Sequence, residues 1–153
     1  MTDVRAKLAE MGLRLPPVTA PVAAYVPAVR SGHQVYVSGQ LPMVDGKLEV
    51  TGKVGAEVTP EQAKQLAARC ALNALAAIDD LVGLDKVVRV VKVVGFVASA
   101  EGFTGQPGVI NGASEFFAEV FGESGRHARS AVGVAELPLN TPVEVECIVE
   151  VAD

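Results

Sequence analysis

Hydrophobic and polar positions follow two different periods along this chain, and the switches between them lay out the elements. Over residues 3–11, Val4, Leu8 and Met11 share one helical face and Gly12 closes the run, which predicts a short helix. "LRLPPVTAP" (13–21) keeps neither period, and its prolines mark an extended arm. Residues 1–22 thus read as helix plus arm, ahead of one domain over 23–153. "YVPAVRSGHQVYVSGQLP" alternates on either side of Ser31-Gly32 and predicts a hairpin. Residues 43–58 hold a loop with "DGK" as its turn.

"TPEQ" is the clearest helix start: Thr59 as N-cap, Pro60 at N1, and Gln62 to close a capping box. Ala63, Leu66, Ala67, Cys70, Ala74, Ala77, Ile78 and Leu81 continue the stripe to Gly83. "KVVRVVKVVGFVAS" (86–99) is apolar at both parities, which predicts a central strand covered on both faces. "AEGFTGQPG" is a Gly-rich loop, and a second long helix is expected from Asn111, as N-cap, to Gly122. "RHARSAVGVAELPLNTPVEVE" then reads as strand, tight turn and strand, a closing hairpin.

The order α-ββ-α-β-α-ββ predicts an α+β domain, a mostly β sheet with two helices packed on one face. The far side of the valine-rich strand is left without cover, and a 153-residue chain has nothing left to supply it. Burial against further copies of the chain is the physical answer.

Charge narrows the function classes. With 13 basic and 18 acidic residues the net charge is −5, the wrong sign for a phosphate-backbone footprint, so no nucleic-acid partner is expected. Arg126, His127 and Arg129 are the only basic cluster. Cys70 and Cys147 sit in apolar patterns, apart from His33 and His127, so no metal site is expected. No apolar run approaches a membrane span, and the amphipathic start lacks a signal-peptide core; a cytoplasmic protein with no membrane partner is the expectation.

The closing strands carry the candidate chemistry. Alternation in "ARSAVGVAE" puts Ser130, Val132 and Val134 on one face, the valines toward the core, and Arg129, Ala131, Gly133 and Ala135 on the other. The arginine then shares its face with small side chains only, a notch in which its planar fork can grip a carboxylate. In "VEVECIVEV", Glu144, Glu146, Ile148 and Glu150 oppose the apolar set. They are either a solvated face pairing with Arg89, Lys92 or Arg129, or part of a site. Ser38 and Gly39 end a strand where backbone can approach a ligand closely, or simply turn. Tyr25 is a pocket wall or a packing aromatic. No Ser-His-Asp or Cys-His set and no phosphate loop can be assembled.

"VYVSGQLP", "ALNALAAI", "GASEFFAEVFG" and above all "ARSAVGVAELP" followed by "VEVE" resemble the YjgF/RidA family of reactive-intermediate deaminases, also called the endoribonuclease L-PSP family. The likeness spans roughly residues 23–151 and is to a divergent branch. It implies a chorismate-mutase-like fold in a homotrimer with a central barrel and ligand clefts between subunits. It also implies cofactor-free hydrolysis of 2-imino acids to 2-oxo acids and ammonia. On the family pattern Arg129 binds the carboxylate and Glu144 positions water, while Tyr25, Ser38, Gly39, Asn111 and Ala131 line the cleft. The family often carries cysteine where Ala131 stands, and proline where His127 stands. The alternatives are a non-catalytic binder of small carboxylates on the same site, and an endoribonuclease-like activity.

Overall fold

The computed structural model describes residues 3–18 and 23–153, so the predicted arm lies partly outside the described residues. Three α-helices, α1 (Val4–Glu10), α2 (Pro60–Leu81) and α3 (Gln106–Phe121), accompany five strands. The strands are β1 (Ala28–Ser31), β2 (Gln34–Gln40), β3 (Val87–Ala98), β4 (Ala128–Val134) and β5 (Val143–Val151). They form one sheet in the order β1-β2-β5-β3-β4, and the architecture is α+β as expected.

Local chemistry fixes the best-defined start. Thr59 Oγ1 accepts the Gln62 N–H at 3.1 Å while Gln62 Oε1 takes the Thr59 N–H at 3.0 Å, the capping box read from "TPEQ". Along α2, Ala63, Ala67, Cys70, Ala74, Ala77 and Ile78 are buried, the predicted stripe. Small residues draw α2 and α3 together: a Cβ on Gly112 would strike the Lys64 carbonyl. The core lies between these helices and the sheet, with Leu75, Ile78, Ile110 and Phe117 against Val35, Val90, Val93, Val97, Val145 and Val149. On α1, Val4 and Leu8 join the same cluster, and the Asp3 side chain caps the helix.

Four expectations change. The first hairpin turns at Gly32-His33, one residue later, because Ser31 pairs with Gln34. The third helix starts at Gln106, not Asn111: Pro107 sits in the first turn, where its missing N–H costs nothing, so "QPG" is helix and not loop. Asn111 therefore stands inside α3 and is not an N-cap.

The closing strands are not a hairpin. β4 runs parallel to β3 after the α3 crossover, and β5 inserts between β2 and β3, antiparallel to both. β3 and β4 thus form a βαβ unit, whose crossover sets strand direction more firmly than the short connection 135–142.

The two faces of β4 are also exchanged. Register pairs Arg129, Ala131 and Gly133 with the core-facing Val93, Gly95 and Val97, so the arginine side is the helix side. Val132, at 43% exposure, lies on the open face instead of the core. The reason is room. A Cβ on Gly95 would collide with Ile110, and one on Gly133 would come within 2.6 Å of Gln106 Nε2, so the small residues admit α3. On the opposite, open face, Val29, Tyr36, Val94, Lys92, Glu146 and Ile148 line a concavity of about 350 Å³ that no helix covers.

Candidate functional site

Arg129 reaches up from β4 to the first turns of α3. Its Nη1 donates to Asn111 Oδ1 at 2.8 Å and to Ser114 Oγ at 3.2 Å, and Nη2 makes a long contact of 3.4 Å to the Pro107 carbonyl. All three acceptors are neutral. Among the described residues no carboxylate pairs with this half-buried guanidinium, and its Nε–H has no acceptor. Nε and Nη2 together present the edge that matches a carboxylate with two parallel bonds. Its charge is held in place and left unneutralised.

Asn111 and Ser114 meet Arg129 because they lie three apart on α3, on one helical face. Sequence reasoning missed Ser114; the i, i+3 relation to Asn111 was the signal, hidden while the helix was taken to begin at Asn111. It also left His127 without a role. Here His127 Nδ1 lies 2.7 Å from the Gly125 carbonyl and Nε2 lies 2.9 Å from Ser114 Oγ. Burial, and then the Arg129 charge, lower its pKa, although the Gly125 carbonyl works against them. Ala131, two residues beyond the arginine on the same face, is partly buried and packs against the core beside Gly95.

The other candidates gather on the opposite side of the sheet. Glu144 pairs in register with Phe96 on the open face, and Gly39 lies against it so closely that an added Cβ would overlap the carboxyl. Burial, and to a lesser degree the neighbouring Glu146, push the Glu144 carboxyl above the ordinary carboxylate range. Ser38 belongs to the same strand end: its N–H donates to the Pro27 carbonyl at 2.8 Å and its hydroxyl to the Val26 carbonyl at 2.6 Å. Those bonds tie residues 26–27 alongside Ser38, and bring Tyr25, 46% exposed, to that side of the molecule.

Two half-sites result, one of Arg129, Asn111, Ser114 and His127, the other of Ser38, Gly39 and Glu144. The pleat forbids their meeting within one chain, since Arg129 and Glu144 leave the sheet from opposite faces. Neither half offers a nucleophilic thiol. Cys147 is buried, with its pKa pushed up to about 12, and Cys70 is likewise raised by burial. No group of His, Cys, Asp and Glu suited to a metal ion occurs among the described residues. Among them, too, no helix is long and apolar enough to cross a membrane.

The family model for endoribonuclease L-PSP matches residues 17–151, a span that contains both half-sites. The chain belongs to the YjgF/RidA family. It is 47% identical over 149 residues to the protein TCP17 of Trypanosoma cruzi, covering 96% of this chain and 93% of that one. It is 37% identical over 130 residues to the 2-iminobutanoate/2-iminopropanoate deaminase of Dermatophagoides farinae, covering 84% and 87%. The crystal structure of Atu1372 from Agrobacterium tumefaciens superposes with a TM-score of 0.91 at 48% identity, covering 97% and 92%. In this YjgF/RidA chain the sheet order and the βαβ unit at β3–α3–β4 place Arg129 on an edge strand.

Proposed function

We propose that this chain hydrolyses small 2-imino acids to 2-oxo acids and ammonia, without a cofactor. The cleft forms where the β4 edge of one subunit meets the Ser38–Gly39–Glu144 corner of the next, in a homotrimer. The carrying observation is Arg129: a guanidinium fixed by Asn111 and Ser114, with only a long Nη2 contact to the Pro107 carbonyl, and with no carboxylate partner and no acceptor for its Nε–H among the described residues. Similarity to deaminases over most of the chain supports the reading.

The chemistry needs little machinery. An iminium carbon is already electrophilic, so binding the carboxylate at Arg129 and placing one water are the main tasks. Glu144 takes a proton from that water as its oxygen bonds to carbon, giving a carbinolamine. The same carboxyl then returns the proton to nitrogen and, ionised again, takes the hydroxyl proton as the C–N bond breaks, so that ammonia leaves as the 2-oxo acid forms. A raised Glu144 pKa fits both steps, because the group must hold the proton between them.

Imines generated in situ from small amino acids test this, with semicarbazone loss or ammonia release as readout. Acceleration over buffer that disappears in Arg129→Ala is expected; a rate equal to background overturns the proposal. A second reading, carboxylate binding without turnover, is favoured by the Ser38 hydroxyl, already committed to Val26. Measurable 2-oxo-acid affinity with no acceleration selects it. The ribonuclease activity in the family's name finds no catalytic set in either half-site, and the net charge of −5 opposes it.

A further inference from the structure

Arg129 touches His127 only through Ser114, and the three form a hydrogen-bond chain whose proton positions can be deduced. The Gly125 carbonyl can only accept, so at 2.7 Å the His127 Nδ1 carries the hydrogen. Burial and the nearby guanidinium disfavour a second proton on the ring, so Nε2 presents a lone pair. Ser114 is the donor that faces it, at 2.9 Å. With its hydrogen turned to the imidazole, Ser114 Oγ presents its lone pairs to Arg129 Nη1–H at 3.2 Å. Every donor in the chain meets one acceptor.

We propose that His127 is a positioning residue for the carboxylate clamp: acting through Ser114, it orients the Arg129 guanidinium and leaves the Nε/Nη2 edge for the ligand. The inference deepens the function proposed above and rests on Arg129 being that clamp. A serine hydroxyl alone rotates about its Cβ–Oγ bond, so the direction in which its lone pairs face the cation is not fixed. His127 removes that freedom. The ring is itself held, edge-on to Phe117 with centroids 5.9 Å apart.

Packing and relay are separable by two substitutions. His127→Phe keeps a ring against Phe117 but offers Ser114 no acceptor. His127→Gln gives up the ring but returns a carbonyl oxygen near the Nε2 position. The first readout needs no ligand: nitrogen-15 spectra of the Arg129 guanidinium, in which a held group shows distinct Nη resonances and a free one an averaged signal. The second is pyruvate affinity by calorimetry, beside KM and kcat for imine hydrolysis.

Distinct Nη signals are expected in the parent and in His127→Gln, and averaged signals in His127→Phe and in Ser114→Ala. Pyruvate should bind up to about tenfold more weakly to His127→Phe, as Ser114 loses its fixed orientation toward Arg129, and within about threefold of the parent to His127→Gln. The weakening should fall on KM and spare kcat. Parent-like Nη signals in His127→Phe, or a His127→Gln variant that behaves as His127→Phe does, overturn the relay. A parent that shows held Nη groups, lost in His127→Phe, but no pyruvate affinity sinks the function proposed above and leaves the relay standing.

Discussion

The Arg129 and Glu144 neighbourhoods hold a charged side chain in opposite ways. Arg129 is gripped by neutral hydrogen-bond acceptors from α3, so its geometry is set and its charge is left over. Glu144 is held by burial and by the lack of a side chain at Gly39, with no cation paired to it among the described residues, and its pKa rises. One half holds a fixed, unneutralised charge; the other holds a carboxyl that keeps its proton more readily than usual. A cleft built from both would divide recognition from chemistry between two copies of the chain.

The sharpest way to break that division is to exchange the consequences of the two mutations. Arg129→Ala is expected to lower kcat/KM by about a hundredfold or more, mostly through KM, since it removes a charge-assisted pair. Arg129→Lys should recover little, because an ammonium lacks the fork. Glu144→Gln should lower kcat by about a hundredfold with KM nearly unchanged. A KM effect from Glu144 or a pure kcat effect from Arg129, in steady-state kinetics, would refute the assignment.

Asn111→Ala should raise KM about tenfold, the loss of one hydrogen bond to a charged group, with kcat unchanged. Gly39→Ala sharpens the comparison from the other side. The added methyl meets the far end of a flexible carboxylate, not backbone, so a stability cost within about 1 kcal/mol is expected. Activity should nonetheless fall about tenfold, in kcat, as the carboxyl is displaced. Thermal melts beside kinetics on one preparation distinguish the two effects.

The smallest effect is on stability. Because the folded chain raises the Glu144 pKa, it binds that proton more tightly than the unfolded chain does. The ionised group therefore opposes folding at neutral pH, and the penalty fades as pH falls through the raised range toward the unfolded carboxyl value. Glu144→Gln should melt slightly higher than the parent at pH 7 and equally with it in acid. A variant that melts lower at pH 7 would show that the carboxylate is stabilised by something other than its present neighbours.

What the sequence disclosed follows the range over which each feature is decided. The α2 cap depends on Thr59 and Gln62, three residues apart, and was legible. The alternation of β5 was legible too, since its burial follows parity without exception. The start of α3 was hidden because glycine and proline at 105–108 suggest a loop, while burial of Val109 and Ile110 makes the turn helical. Pairing of β4 with β3, and the side of the sheet Arg129 takes, depend on the fit of α3 over Gly95 and Gly133, a relation no short window contains. Arg129 and Glu144 could therefore be picked out from the sequence, while the partition of the candidates between two faces of the sheet, and the part of Ser114 and His127 beside Arg129, could not.

The place of β5 has a consequence for how the molecule is made. The last strand in chain order is the one that joins β2 to β3, so during synthesis the sheet exists as two unconnected pieces until residues 143–151 have left the ribosome. A nascent chain halted before Val143 would expose the sheet edges of β2 and β3, each ready to recruit a neighbouring polypeptide.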